Sequence, residues 1–194
     1  QQKLPSYVKE DSEVFVFYSG HGAPTTGENR QGYLVPSDTD PNFVSDANAY
    51  ALGDFYTDLA EVGAQSVTVV LDACFTGQAG SGEMMIRQAS PAVLSVENPF
   101  VSIENGTAFL ASGTEQVANW YPEKKHGLFT YFFLKGLKGA ANENGDRRLT
   151  VAEMEAYLTD GDDGVPYYSR RVHQRTQTPQ VVSRNKDRVL VRYG

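Results

Sequence analysis

Two runs along the chain are apolar at nearly every position. Val14-Phe15-Val16-Phe17-Tyr18 runs into Ser19-Gly20-His21-Gly22, and Val67-Thr68-Val69-Val70-Leu71 runs into Asp72-Ala73-Cys74. Uninterrupted Val- and Phe-rich runs of this length, closed by polar residues and glycine, predict short β-strands buried on both faces, as in a parallel sheet. Between them, Leu52, Phe55, Tyr56, Leu59 and Val62 repeat at helical spacing, with Asp54, Asp58 and Glu61 off that face. This pattern predicts an amphipathic helix crossing over between the two strands, a right-handed parallel connection. Gly32-Tyr33-Leu34-Val35-Pro36 reads as a short strand stopped by proline, and Asp38 to Asn42 as a turn. Further along, Ala108 to Ser112 predicts another strand. Leu128 to Leu137 predicts a buried helix, Val151 to Leu158 a more amphipathic one, and Val165-Pro166-Tyr167-Tyr168 opens a third with proline near its first turn. Thr178 to Val182 reads as extended and Arg188 to Tyr193 as a final strand.

The polar groups at the ends of the two strands carry the chemistry. In open α/β sheets, sites form at the carboxyl ends of strands, where this pattern puts both His21 and Cys74. A free thiol is only slightly ionised at neutral pH, so a cysteine nucleophile needs a neighbouring imidazole, and His21 can supply it. Glycines on either side of His21 allow a sharp turn, and the N–H groups of Gly22 and Cys74 are candidates for an oxyanion site. The bland reading of Cys74 is a small buried hydrophobe, which the presence of His21 disfavours. The other histidines, His126 in a Pro-Glu-Lys-Lys stretch and His173 in an Arg-rich helix, read as solvated surface.

Tyr18-Ser19-Gly20-His21-Gly22 and Leu71-Asp72-Ala73-Cys74-Phe75-Thr76-Gly77 resemble the histidine and cysteine boxes of the caspase-like cysteine peptidases, closest to their bacterial and metacaspase branch. The two residues are 53 apart, in keeping with caspase spacing. Ala108 to Ser112 and His126-Gly127-Leu128-Phe129-Thr130-Tyr131-Phe132 extend the likeness, which spans about residues 12 to 182. The resemblance implies a three-layer α/β fold, with a mostly parallel central sheet flanked by helices, in a single domain over residues 1–194. It implies a cysteine endopeptidase acting through Cys74 and His21 by way of a thioester. Caspases that cut after aspartate carry glutamine two positions before the cysteine, where this chain has Asp72. In metacaspase-like members an acid there lines the first specificity pocket, which would favour arginine or lysine and repel an acidic side chain. Ser19 matches another position of that pocket. The competing role for Asp72 is to accept backbone N–H bonds at a turn. A caspase-like signalling or interaction module without proteolysis is the alternative from another class.

The family fold begins with a strand, a helix and a second strand before the histidine box, and only about a dozen residues precede Val14 here. The expectation is therefore a partial domain, whose amino-terminal segment is a separate part of the same precursor or a partner chain. A raw hydrophobic edge on the histidine strand is the predicted consequence. Residues 76–105 form a long Gly-, Ser-, Pro- and Asn-rich stretch after the cysteine, where caspase relatives carry their processing site. Arg87 is the only basic residue between Cys74 and Lys124, which makes it the candidate for self-cleavage.

The chemistry so described requires no cofactor. Asn142, Asn144, Asp146 and Glu153 match ligand positions one, three, five and twelve of a calcium loop, but Arg147 replaces the turn glycine and asparagines replace charged ligands. A capping box between Thr150 and Glu153 at a helix start explains part of the same pattern.

Composition and charge narrow the partners. With 194 residues and 40% hydrophobic content there is enough chain for one sizeable core, and no apolar stretch is long enough to span a membrane. One cysteine excludes an internal disulfide and does not identify a compartment. The net charge of −7 is concentrated in the first half, which also holds both catalytic candidates and so favours a cationic substrate. The basic residues between Arg170 and Arg192 are interleaved with Asp187 and carry no nucleic-acid module, so nucleic acid is not an expected partner.

Overall fold

The computed structural model describes residues 4–24, 32–40, 43–75, 103, 105–113 and 116–194. Its elements in chain order are β1 (Glu13–Pro24), β2 (Gly32–Val35), β3 (Tyr50–Ala51), α1 (Leu52–Ala60), β4 (Ser66–Cys74), β5 (Gly106–Leu110), β6 (Trp120–Tyr121), β7 (His126–Gly127), α2 (Leu128–Lys135), β8 (Arg148–Thr150), α3 (Val151–Thr159), α4 (Val165–His173), β9 (Gln180–Ser183) and β10 (Val189–Arg192). A six-stranded sheet runs in the order β3-β2-β1-β4-β5-β9. Strands β1, β4 and β5 are parallel, while β2, β3 and β9 add antiparallel flanks. The predicted final strand forms, but β10 pairs with β8 outside the main sheet.

Alternation along the central strands divides the core into two layers. Val67, Val69 and Leu71 of β4, with Ala108 and Leu110 of β5, meet Leu52, Phe55, Tyr56 and Leu59 of α1. Val70 and Phe109 point the other way, into Leu128, Phe129, Phe132 and Phe133 of α2, with Met154 and Leu158 of α3 and Val165 of α4. Each of these aromatic rings is essentially fully buried and stabilises the fold by roughly 2 to 3 kcal/mol through removal of apolar area from water. The helical stripe in the sequence and the apolar runs of β4 and β5 thus have a common cause: two faces of one sheet, each covered by helices. Among the described residues no helix is long and apolar enough to cross a membrane.

Strand β1 departs from the expectation of burial on both faces. Val14, Val16 and Tyr18 pack with the α1 layer, but Phe15 is 56% and Phe17 48% exposed. The α2–α4 cluster takes in Val70 and Phe109 of the central strands and neither phenylalanine of β1. Strand β2 pairs only with His21 to Pro24, so the other edge of Glu13 to Gly20 has no strand partner among the described residues. Uniform hydrophobicity was therefore a sign of strand here without being a sign of cover.

Two further features bear on the predicted sites. Residues 76–102, with Arg87, lie outside the described residues. The capping box is formed: Thr150 Oγ1 accepts from Glu153 N–H, and Glu153 Oε2 accepts from Thr150 N–H at 2.9 Å. Arg147, at the turn position normally held by glycine, adopts a left-handed φ of 65°. Asn144 and Asp146 accept backbone N–H bonds within the loop, whereas Asn142 Oδ1 and Glu153 Oε1 are shielded from water without a hydrogen-bond partner.

Candidate active site

The parallel pairing of β1 with β4 sets His21 beside Cys74, Gly20 beside Ala73 and Ser19 beside Asp72. Two boxes separated by 53 residues are thereby brought into one register at the carboxyl ends of adjacent strands. A pocket of about 270 Å³ opens there, lined by Ser19, His21, Asp72 and Cys74, and closed by Ala118 to Trp120 and by Gly127. That volume suits a single side chain rather than a larger ligand. Four of the predicted site residues thus share one cavity. The loop of Asn142, Asn144, Asp146 and Glu153 contributes nothing to it.

The backbone around His21 is held from its own strand. The Tyr18 hydroxyl lies 2.8 Å from the His21 carbonyl and 2.9 Å from that of Val35, sharing its proton between them. This clamp ties the histidine end of β1 to β2, and burial raises the phenol's pKa. Gly22 is required for a different reason: a Cβ there would stand 2.6 Å from the Cys74 carbonyl oxygen. The two strand ends approach too closely for any side chain at that position.

Cys74 is half-buried, and its thiol lies against the wall opposite β1. Ala118 N–H donates to Cys74 Sγ at 2.8 Å, and Sγ lies 3.6 Å from the Ala118 carbonyl. Burial pushes the thiol up to about 11; the Ala118 N–H pulls the other way and the Asp72 charge adds to the rise. In this arrangement the thiol is neutral at physiological pH, and reactivity requires a neighbouring base to take its proton. Alkylation by iodoacetamide in the absence of substrate is accordingly expected to be slow at neutral pH and to climb with thiolate formation toward about pH 11. An inflection below neutrality would mean instead that the thiolate is already stabilised in the resting protein.

The Ala118 wall was not legible from sequence. It is fixed by a buried polar network: Asn119 N–H donates to Gln177 Oε1 at 2.9 Å, Asn119 Nδ2 donates to Ser169 Oγ at 3.0 Å, and Gln177 Nε2 donates to the Ala111 carbonyl at 2.9 Å. Leu128 N–H closes the other side on the Asn119 carbonyl at 2.8 Å. Next to it, Trp120 is 52% exposed at the pocket rim, paired with Gly127 across β6 and β7. Buried amides of this kind give no periodicity, so only their convergence in space reveals them. His126, expected in a loop, is an exposed residue of β7. His173 is partly buried, contrary to the solvated surface expected, with Nε2 shielded and unpartnered.

Asp72 is 7% exposed on the pocket floor. It accepts a hydrogen bond from Thr130 Oγ1 and another from the Thr130 backbone N–H. Burial raises its pKa, and both Thr130 bonds lower it in part. Among the described residues no Lys or Arg pairs with it. The turn-type role considered for Asp72 is therefore present in altered form, since it caps a helix from a neighbouring strand, and the carboxylate also faces the cavity of Cys74. A methyl group at Gly127 would overlap Asp72 Oδ2. Gly127→Ala is expected to displace the carboxylate and cost about 1 to 3 kcal/mol, read as a fall in the thermal midpoint. An unchanged midpoint would show that the start of α2 can give way.

A family model described as the caspase domain matches residues 2–190. The chain belongs to the caspase-domain peptidase family. Family membership makes this caspase domain a cysteine peptidase in kind, and its three-layer α/β fold is the one expected of that family. Among solved structures, the caspase domain is similar to protein GSU0716 from Geobacter sulfurreducens, at 16% identity and a TM-score of 0.48, over 93% of this chain and 71% of that one. No curated protein sequence matches it.

Proposed function

We propose that this caspase domain is a cysteine endopeptidase that cleaves after arginine or lysine. The observation that carries the reading is a buried carboxylate, Asp72, without a cationic partner among the described residues, in the same small pocket as Cys74 and His21. A carboxylate left unpaired in a desolvated site is costly, and a guanidinium or ammonium entering beside it recovers that cost. An aspartate side chain would meet like charge and be excluded.

In the proposed reaction the Cys74 thiol leaves Ala118 and gives its proton to the His21 imidazole. Sulfur then attacks the carbonyl carbon following the basic side chain. The oxyanion that forms is held by the N–H groups of Gly22 and Cys74. Collapse of this intermediate breaks the C–N bond, with the imidazolium protonating the departing amine, and leaves a thioester on Cys74. Water, deprotonated by His21, hydrolyses the thioester and restores the thiol. No step draws on a cofactor. Ser19 lines the entrance on the β1 side, and the exposed Trp120 offers an apolar face at the rim.

A peptide ending in arginine and carrying an acyloxymethyl ketone tests this directly. It should add to Cys74, as located by peptide mass spectrometry, and its aspartate counterpart should not. Absence of any adduct on Cys74 would favour the interaction module, in which a neutral, buried thiol is only part of the core. The same preparations test self-cleavage after Arg87, through the intact masses of wild type and Cys74→Ala, and a role for calcium at Asn142, Asn144, Asp146 and Glu153, through labelling with and without the ion. A missing amino-terminal segment acting as partner would show itself as labelling gained when that segment is added.

A further inference from the structure

We propose that Thr130 is the positioning residue of the specificity pocket, so that the first turn of α2, and not β4 alone, aims the Asp72 carboxylate into the cavity. The inference rests on the reading of Asp72 as the group that receives a basic side chain.

Helix α2 lacks a cap from its own N-cap residue. The first turn of any α-helix has N–H groups without intrahelical acceptors, and a side chain at the N-cap commonly supplies one. In α2 the N-cap is Gly127, which has no side chain to offer. Asp72 supplies the acceptor from the neighbouring β4 strand, taking both the N–H and the hydroxyl of Thr130, the third residue of the helix. The glycine is what permits it, because the carboxylate oxygen occupies the space a Cβ at Gly127 would fill. Thr130 is itself buried, at 8% exposure, so its hydroxyl has no competing water in bulk.

This arrangement determines the charge on the pocket floor. Burial alone favours the neutral acid; two donors and the positive end of the helix favour the anion. Of the donors, only the hydroxyl belongs to a side chain that can be changed without altering the backbone. The other ionisable groups lining the pocket are His21 on β1 and Cys74 on β4; Ala118 to Trp120 add none, and His126 beside Gly127 is exposed. Valine has nearly the shape of threonine and no hydroxyl. Thr130→Val should leave Asp72 with the backbone N–H alone and let burial raise its titration further, while Thr130→Ser should keep the second donor.

The test follows the Asp72 carboxyl carbon by NMR through a pH titration of the full chain in wild type, Thr130→Val and Thr130→Ser. Thr130→Ala replaces the valine variant should that one not fold. In parallel, kcat/KM is measured across the same pH range on peptides ending in arginine and in its uncharged isostere citrulline. Loss of the hydroxyl is expected to raise the Asp72 titration. The acidic limb of kcat/KM for the arginine peptide should move with it, and the preference for arginine over citrulline should fall about tenfold at pH values between the two limbs. Serine should restore both. An Asp72 titration that is the same with and without the hydroxyl overturns the inference. A wild type that never cleaves after arginine overturns the basic-specificity reading instead, and the NMR shift still decides whether Thr130 controls the charge.

Discussion

Cys74→Ala is expected to reduce cleavage after arginine and lysine by about four orders of magnitude or more, and His21→Ala to have an effect of similar size. In the proposed mechanism the two side chains share a single proton and a single bond-forming event, so the double variant should be no worse than either alone. This non-additivity separates catalysis from folding, because two independent structural losses would add. Purified variants compared by kcat/KM on one arginine peptide, with thermal midpoints measured alongside, provide the check. Since the thiol lies against Ala118 and not in a tight cluster, removing it should leave the midpoint within a few degrees of wild type. Activity retained in Cys74→Ala would exclude Cys74 as the nucleophile.

Asp72→Asn is expected to lower kcat/KM for arginine and lysine peptides by about a hundredfold, with a much smaller change on uncharged ones. The expected effect on stability separates this role from simple capping. Burial holds the Asp72 pKa above its ordinary value in the fold. A group whose pKa is raised on folding adds stability that is fully present below its unfolded value and is lost as pH rises through the folded value. Wherever Asp72 is ionised in the fold its charge is therefore a cost, one that asparagine avoids while keeping an oxygen for Thr130 to donate to. The variant should be at least as stable as wild type near neutrality, and wild type should gain on it as pH falls through the raised Asp72 titration. Thermal midpoints of the two proteins across the acidic range test this. A variant that is equally destabilised at every pH, and equally slow on charged and uncharged peptides, would reduce Asp72 to a helix cap.

A residue kept charged at a cost to stability is more readily explained by function than by packing. That contrast also distinguishes Asp72 from the neighbouring buried network. Asn119, Gln177 and Ser169 are uncharged and bonded to one another, and their work is to hold the Ala118 wall in place. The pocket thus has an uncharged, hydrogen-bonded side that positions, although Asn119 Oδ1 has no hydrogen-bond partner, and an acidic floor without a cationic partner among the described residues.

Much of this was legible along the chain because local patterns repeat the geometry that made them. The stripe from Leu52 to Val62 is the buried face of α1, and the run before Cys74 is a strand covered by helices on both sides. His21 and Cys74 stood out because each ends such a run, and their alignment in adjacent parallel strands follows from the register of β1 with β4. Where the reading failed, the missing information was about neighbours. Phe15 and Phe17 look like core and are exposed, since hydrophobicity cannot say whether a helix layer extends far enough to cover a given strand. Likewise the calcium-like pattern at Asn142 to Glu153 and the capping box are compatible with one another in the folded loop, because one Glu153 oxygen serves the cap and the other does not.

The sequence by itself determined the strands, the helices, the family to which they belong and the two residues proposed to carry the chemistry, since each of these depends on the order of residues within a short window. The tertiary structure alone decided the resting contact of the thiol with Ala118, the wall held by Gln177 and Ser169, and the capping of α2 by Asp72. Those arrangements join residues 44 to 58 positions apart through one or two hydrogen bonds each, which leave no periodic trace in the chain and exist only once the sheet and its helices have brought the partners together.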